Sequence, residues 1–133
     1  MDFSTLVLIE KDRDTGLIKN RLGSYNAVDG AQYIRKMYYD GNCVNVYFNT
    51  NKDVEDWQYY AIFDMFEKYK FNENNFEIEE VEDEYNPTWI VKFDYNNDHN
   101  LMENRLNTLC NLINTCINKV FNDIEDKRQE YED

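Results

Sequence analysis

The last third of the sequence repeats apolar residues at the spacing of one long helix. The steps between them are 4, 3, 4, 3 and 4 residues, which is helical periodicity. The residues of this seam are Met102, Leu106, Leu109, Ile113, Cys116 and Val120. The seam is wider than a coiled coil requires, because it also includes Leu101, Cys110, Leu112, Ile117, Phe121 and Ile124. We therefore expect a helix over residues 98–126, about 40 Å long at 1.5 Å per residue, that lies across a sheet.

Two hairpins and one further strand supply that sheet. Residues 3–10 and 17–25 are rich in β-forming side chains and flank an Asp/Gly turn at residues 12–16. Residues 43–48 alternate apolar and polar side chains, as a half-buried strand does. Residues 76–82 and 88–95 form the second hairpin, in which the out-of-phase Val81 predicts a bulge near Glu79 and Glu80.

Two shorter helices are predicted between the strands. Residues 29–40 place apolar side chains at helical spacing between a capping Asp29 and a terminating Gly41. Residues 53–69 begin with acids, which the positive end of a helix dipole favours. The predicted fold is α+β in the order ββαβαββα, with a mostly antiparallel five-stranded sheet and the long C-terminal helix packed across it, all within one domain of residues 1–133.

Composition sets the class of protein. Hydrophobic residues make up 42% of the chain and aromatic residues 16%, which is enough for a core. No stretch has the length of a membrane span or the layout of a signal peptide, so we expect a cytoplasmic protein that does not bind a membrane. Cys43, Cys110 and Cys116 have neither the spacing of a zinc site nor that of a disulfide framework, and we expect no metal and no cofactor.

Charge divides the chain. Residues 1–52 carry 7 Lys and Arg against 6 Asp and Glu, whereas residues 53–133 carry 7 against 21. The first half therefore has a net charge of +1 and the second half a net charge of −14, which together give the total of −13. Such a field attracts a basic protein partner and repels nucleic acid, so we expect no direct nucleic-acid binding.

The densest acidic segment is residues 73–84, which hold seven carboxylates and no base. Glu79, Glu80, Glu82, Asp83 and Glu84 are candidates for steering a basic partner. Tyr85 and Trp89 are candidate aromatic anchors, with Trp57 and Tyr60 as a second candidate cluster. The alternative is that the acids only protect an edge strand from aggregation.

The sequence contains no complete motif of catalysis or metal binding. Asp94, Asn96 and Asp98 match the first ligands of a calcium loop, but His99 replaces the required glycine and Arg105 the bidentate Glu. The acidic run lacks the two unlike environments that general acid and base catalysis needs. His99, at the predicted start of the long helix, has no sequence-defined nucleophile beside it. We therefore predict that the protein is not an enzyme.

Two hypotheses of function follow from these patterns. The first is a small acidic binding protein, of the inhibitor, immunity or nucleic-acid-mimicking type, that docks on a basic protein. The second is a self-associating structural domain that forms a homodimer through the long C-terminal helix and uses its acidity only for solubility.

Overall fold

The computed structural model describes residues 5–132. Six strands are present: β1 (Thr5–Lys11), β2 (Ile18–Asn26), β3 (Ile34–Tyr39), β4 (Val44–Asn49), β5 (Glu77–Val81) and β6 (Thr88–Phe93). The α-helices are α1 (Asp56–Met65), α2 (Tyr69–Glu73), α3 (His99–Asp123) and α4 (Arg128–Tyr131), and a 3₁₀ helix, Ala31–Tyr33, precedes β3. The predicted α+β class is confirmed.

The strands form one sheet in the order β2-β1-β3-β4-β6-β5. Only β1 and β3 pair in parallel, and the other neighbours are antiparallel. The mostly antiparallel sheet is thus confirmed, although it has six strands rather than five. The outermost strands are β2 at one edge and β5 at the other, so the acidic strand lies at an edge.

The helices cover one face of this sheet. Val44, Val46 and Phe48 of β4 are buried there, and their cross-strand partners on β6 are Phe93, Val91 and Trp89. The predicted seam of α3 is buried against them at 0–2% exposure and belongs to the same core cluster. The long helix packed across the sheet is therefore confirmed, and we call the opposite side of the sheet the open face.

Asp98 caps α3. Its Oδ1 accepts hydrogen bonds from the backbone N–H groups of Asn100 at 3.0 Å and Leu101 at 3.1 Å. These bonds satisfy two of the amide groups that the first turn of a helix leaves free. Despite its length, α3 is not apolar enough to cross a membrane, and neither is any other helix within residues 5–132.

The predicted helix over residues 29–40 is wrong. Most of this segment is strand β3, which pairs with β4 and, through Tyr38 and Tyr39, with β1. Gly30, the residue before the 3₁₀ helix, has a φ of 106°, which interrupts helical backbone after Asp29. Ile34, Met37 and Tyr38 have helical spacing, but the pairing with two neighbouring strands makes the segment a strand, and a register shift between Ile34 and Lys36 places Ile34 and Met37 on the same face.

Two local predictions also need correction. The helix predicted over residues 53–69 is shorter and covers only Asp56–Met65, because Phe66 adopts an extended conformation (ψ 131°) that ends α1, and α2 begins only at Tyr69. The predicted bulge near Glu79 and Glu80 is absent, since the register between β5 and β6 is continuous from Glu77–Lys92 to Val81–Thr88. The side chain of Val81 simply lies on the open face.

Candidate interaction surface

The turn between β5 and β6 carries the exposed acids. Glu82, Asp83 and Glu84 follow the last residue of β5, and Asp83 has a φ of 65°, in the left-handed region that Asp tolerates better than most residues. The side chain of Asn86 donates from Nδ2 to Oδ1 of Asp53 at 3.2 Å. This bond fastens the turn to the segment that leads into α1.

The tyrosines of α1 lie beside this turn. Burial raises the pKa of Tyr59 above its ordinary value, and the nearby carboxylates of Asp83, Glu84 and Glu82 raise it further. Tyr60 is next to Tyr59 in an edge-to-face contact with centroids 5.7 Å apart, and its side chain is 64% exposed. We call Tyr59, Tyr60, Glu82, Asp83, Glu84 and Tyr85 the acidic–aromatic surface. The two clusters predicted from sequence therefore meet in part.

An aromatic chain connects this surface to the core. Tyr59 contacts Phe63 with ring centroids 5.0 Å apart, and Phe63 contacts Trp89 at 5.3 Å. Trp89 in turn stacks on Phe66 at 4.2 Å and on Phe48 at 5.2 Å. The acidic–aromatic surface is therefore packed against the core through Tyr59, which fixes the position of that ring.

Trp89 and Trp57 are not docking anchors, contrary to the sequence prediction. Trp89 is 0% exposed and lies inside the aromatic core. Trp57 is 9% exposed and its indole Nε1 donates to Oε2 of Glu55 at 3.3 Å. A partner therefore cannot reach Trp89 without local unfolding, and Trp57 exposes only a small part of its ring. Tyr85, which is 79% exposed, and Tyr60 are the accessible aromatic candidates.

The acids of β5 are divided between the two faces of the sheet. Glu80 is paired with Trp89 on the helix-covered face and lies 3.5 Å from Nζ of Lys68, so an ion pair compensates part of its charge. Glu79 is paired with Ile90 and faces the open side. Neither residue belongs to the acidic–aromatic surface. Glu79 is the more available of the two for a partner, because Glu80 is already in an ion pair with Lys68.

Sequence reasoning missed Tyr59. Nothing in its spacing distinguishes it from the other aromatic residues of α1, and only the packing of α1 against the β5–β6 turn brings it to the acids. A long-range contact of this kind has no local signal. The sequence offered only the adjacency of Tyr59 to Tyr60, which was itself a candidate.

A cleft of about 780 Å³ lies at one end of the sheet. Its charged lining residues are Arg13, Asp40, Glu77, Lys92, Asp94 and Arg105. Asp40 is held by its own turn: burial raises its pKa, but hydrogen bonds from the backbone of Cys43 and Asn42, each at 2.9 Å, outweigh burial and lower it. The guanidinium of Arg105 donates to the carbonyls of Asn74 and Asn75. Both groups therefore serve local structure.

The cysteines and the acids form no metal centre in the part of the chain that the structure describes, where no three His, Cys, Asp or Glu residues cluster suitably. Cys43, Cys110 and Cys116 are free thiols. Burial alone raises the pKa of Cys110 to about 11.

Comparison with known proteins places the chain in one family. The sequence model of the family of unknown function DUF6762 matches residues 1–132, and the chain belongs to that family. No curated protein matches the sequence, and no solved structure matches it.

Proposed function

We propose that the protein is a non-enzymatic binding protein whose acidic–aromatic surface docks on a basic protein. The observation that carries this proposal is the meeting of three consecutive carboxylates with the half-buried Tyr59 of a different element, whose neighbour Tyr60 is exposed. Charge supplies long-range attraction, and tyrosine rings supply contact area at low entropic cost. An inhibitor that covers a cationic active surface requires both long-range attraction and contact area.

The alternative of edge protection explains only part of the arrangement. Glu79 and Glu80 lie on the edge strand itself, where charges discourage pairing with another strand. Glu82, Asp83 and Glu84 lie beyond the strand, next to Tyr59 and Tyr60. Edge protection requires neither these positions nor an exposed tyrosine, so docking accounts better for the turn.

A homodimer through α3 has no support in the packing. All six residues of the predicted seam are buried in the core of the same chain. Among the residues that the structure describes, Leu101 is the large apolar side chain of α3 that is exposed, at 53%. A single such side chain is ordinary for a protein surface.

The test compares two triple variants with the same change of charge. E82Q/D83N/E84Q neutralises the turn, and D83N retains a residue that accepts positive φ. E73Q/E125Q/D126N neutralises three exposed acids elsewhere and serves as the control. Each immobilised protein captures partners from a lysate of the source cells at low salt, followed by elution at about 0.5 M salt.

We expect wild type and control to capture the same basic protein and the turn variant to capture little of it. A second variant, Y60A/Y85A, changes no charge and should also weaken capture. Equal capture by the two triple variants would contradict the proposal, because acidity at any position would then suffice.

A further inference from the structure

The part of the open face formed by β1, β2 and β3 carries positively charged side chains. Cross-strand pairing places Arg21, Ile9 and Tyr38 in one row of this face and Lys36 beside Tyr47 in the next. We call Val7, Lys11, Arg21, Lys36, Tyr38 and Tyr47 the cationic patch. No helix of residues 5–132 covers it, because the helices pack on the other face.

Among residues 5–132, the cations of this patch have no carboxylate partner. None of Lys11, Arg21 and Lys36 lies within 4.0 Å of a carboxylate oxygen in residues 5–132. Instead, Nζ of Lys36 lies 4.1 Å from the ring centroid of Tyr47, and Nζ of Lys11 lies 4.9 Å from that of Tyr38. In a chain with 27 acids and 14 bases, unpaired cations on one face indicate an anionic contact from outside.

The acids of the same molecule cannot supply this contact. At the usual spacing of about 4.8 Å per strand, Lys11 on β1 is about 19 Å from the acidic edge strand β5, and Lys36 on β3 is about 14 Å from it. Exposed apolar groups accompany both surfaces: Val7 is 42% exposed in the patch, and Tyr85 is 79% exposed at the acidic turn. The cationic patch is complementary to the acidic–aromatic surface, and the two can meet only when they belong to different copies of the chain.

Resting on the docking function proposed above, we propose that the cationic patch is a docking site for the acidic–aromatic surface of a second copy of this chain. The contact is head to tail, so each copy retains one free surface of each kind and assembly continues beyond a dimer. The total charge of −13 does not prevent this, because salt screens charges beyond about 8 Å at physiological ionic strength. A basic foreign partner competes for the acidic surface and shortens the chains.

The experiment is sedimentation velocity of the full chain at about 0.15 M salt over concentrations up to about 0.1 mM. Wild type should show a mean mass that rises with concentration to more than twice the monomer mass. K11Q/K36Q and E82Q/E84Q should each be monomeric, with unchanged thermal unfolding. A control, K52Q/K127Q, removes the same charge elsewhere and should assemble as wild type does.

The mixture of the two variants is the decisive sample. K11Q/K36Q retains the acidic surface and E82Q/E84Q retains the patch, so an equimolar mixture should form dimers and stop there. A monomeric wild type, a closed dimer unaffected by K11Q/K36Q, or a mixture that stays monomeric would overturn the inference.

Failure of this inference is distinguishable from failure of the proposed function. A monomeric wild type that still captures a basic protein from lysate removes the self-contact and leaves the docking function. A wild type that forms chains but captures no foreign protein supports the self-contact and removes the foreign partner.

Discussion

Glu80 and Trp89 are directly paired across the last two strands of the sheet, although one is an exposed acid and the other is 0% exposed. The edge strand β5 therefore carries the charge, while its neighbour β6 carries the core. This arrangement explains why an acidic hairpin is ordered: Trp89, Val91 and Phe93 of β6 are all buried in the core. The acids are displayed by a strand that contributes little to the interior itself.

Trp89 should be essential for stability and not directly for binding. W89A should reduce the free energy of unfolding by about 3–5 kcal/mol, the usual loss for a fully buried large aromatic. Y85A, which truncates an aromatic that is 79% exposed, should change it by less than about 0.5 kcal/mol. Chemical denaturation of the two variants checks this, and a W89A variant as stable as Y85A would contradict the core position of the indole.

Gly30 should not tolerate any side chain. A Cβ at this position would lie 2.0 Å from the backbone oxygen of Cys110 in α3, so the 3₁₀ segment and the long helix would have to separate. Gly41 provides the control, because its φ of 89° is also positive but a Cβ there meets nothing within 4 Å. G41A should cost on the order of 1–3 kcal/mol from backbone strain alone. G30A should lower the unfolding midpoint clearly more than G41A, and equal midpoints would contradict the close approach.

The acidic turn should control the titration of Tyr59. Burial and the neighbouring carboxylates both raise its pKa, so E82Q/D83N/E84Q should lower the pKa part of the way back. Because the folded pKa is the higher one, Tyr59 contributes stability that is present below the unfolded value of about 10 and is lost as pH rises through the folded value. The variant should therefore lose less stability as pH rises, because its folded pKa lies closer to the unfolded value and the pH range of the loss is narrower. NMR titration of the tyrosine ring measures the shift.

The control for that titration is E73Q/E125Q/D126N, which should leave the Tyr59 pKa as in wild type. Identical pKa values in all three proteins would mean that the turn and α1 are not neighbours in solution.

The three thiols should react in a defined order. Cys43 is half-buried, whereas Cys110 and Cys116 are buried. Burial raises the pKa of Cys110 to about 11 and also raises that of Cys116, so neither presents much thiolate at neutral pH. A thiol reagent should label Cys43 first in the native protein and all three in denaturant, as mass spectrometry of peptides would show. Labelling of Cys110 as fast as Cys43 would contradict its position beneath the 3₁₀ segment.

The parts of the fold with a single consistent period were predictable. The seam of α3 and the alternation of β4 each exclude the other kind of element, and the helix cap at Asp98 has a local signature. Strand β3 was not predictable, because Ile34, Met37 and Tyr38 have helical spacing, and only the pairing with neighbouring strands, with its register shift after Ile34, makes the segment a strand. Trp89 shows why the site was harder to predict than the fold. Its position in a strand was predicted correctly, but a residue that is buried in the core cannot also be an exposed anchor for a partner.

The cationic patch shows a second limit. Its cations come from three strands, and the near-neutral charge of residues 1–52 conceals their segregation onto one face. Charge counted along the sequence therefore reveals the acidic surface, which is local, and misses the basic one, which the sheet assembles.

The most direct test of the docking claim is the affinity of the captured basic protein for wild type, E82Q/D83N/E84Q and E73Q/E125Q/D126N, measured from about 0.05 to 0.5 M salt. We predict that the turn variant binds at least tenfold more weakly at low salt and shows a flatter salt dependence, while the control stays close to wild type. Equal affinities and equal salt dependence for the two variants would contradict the claim that this surface is the docking site.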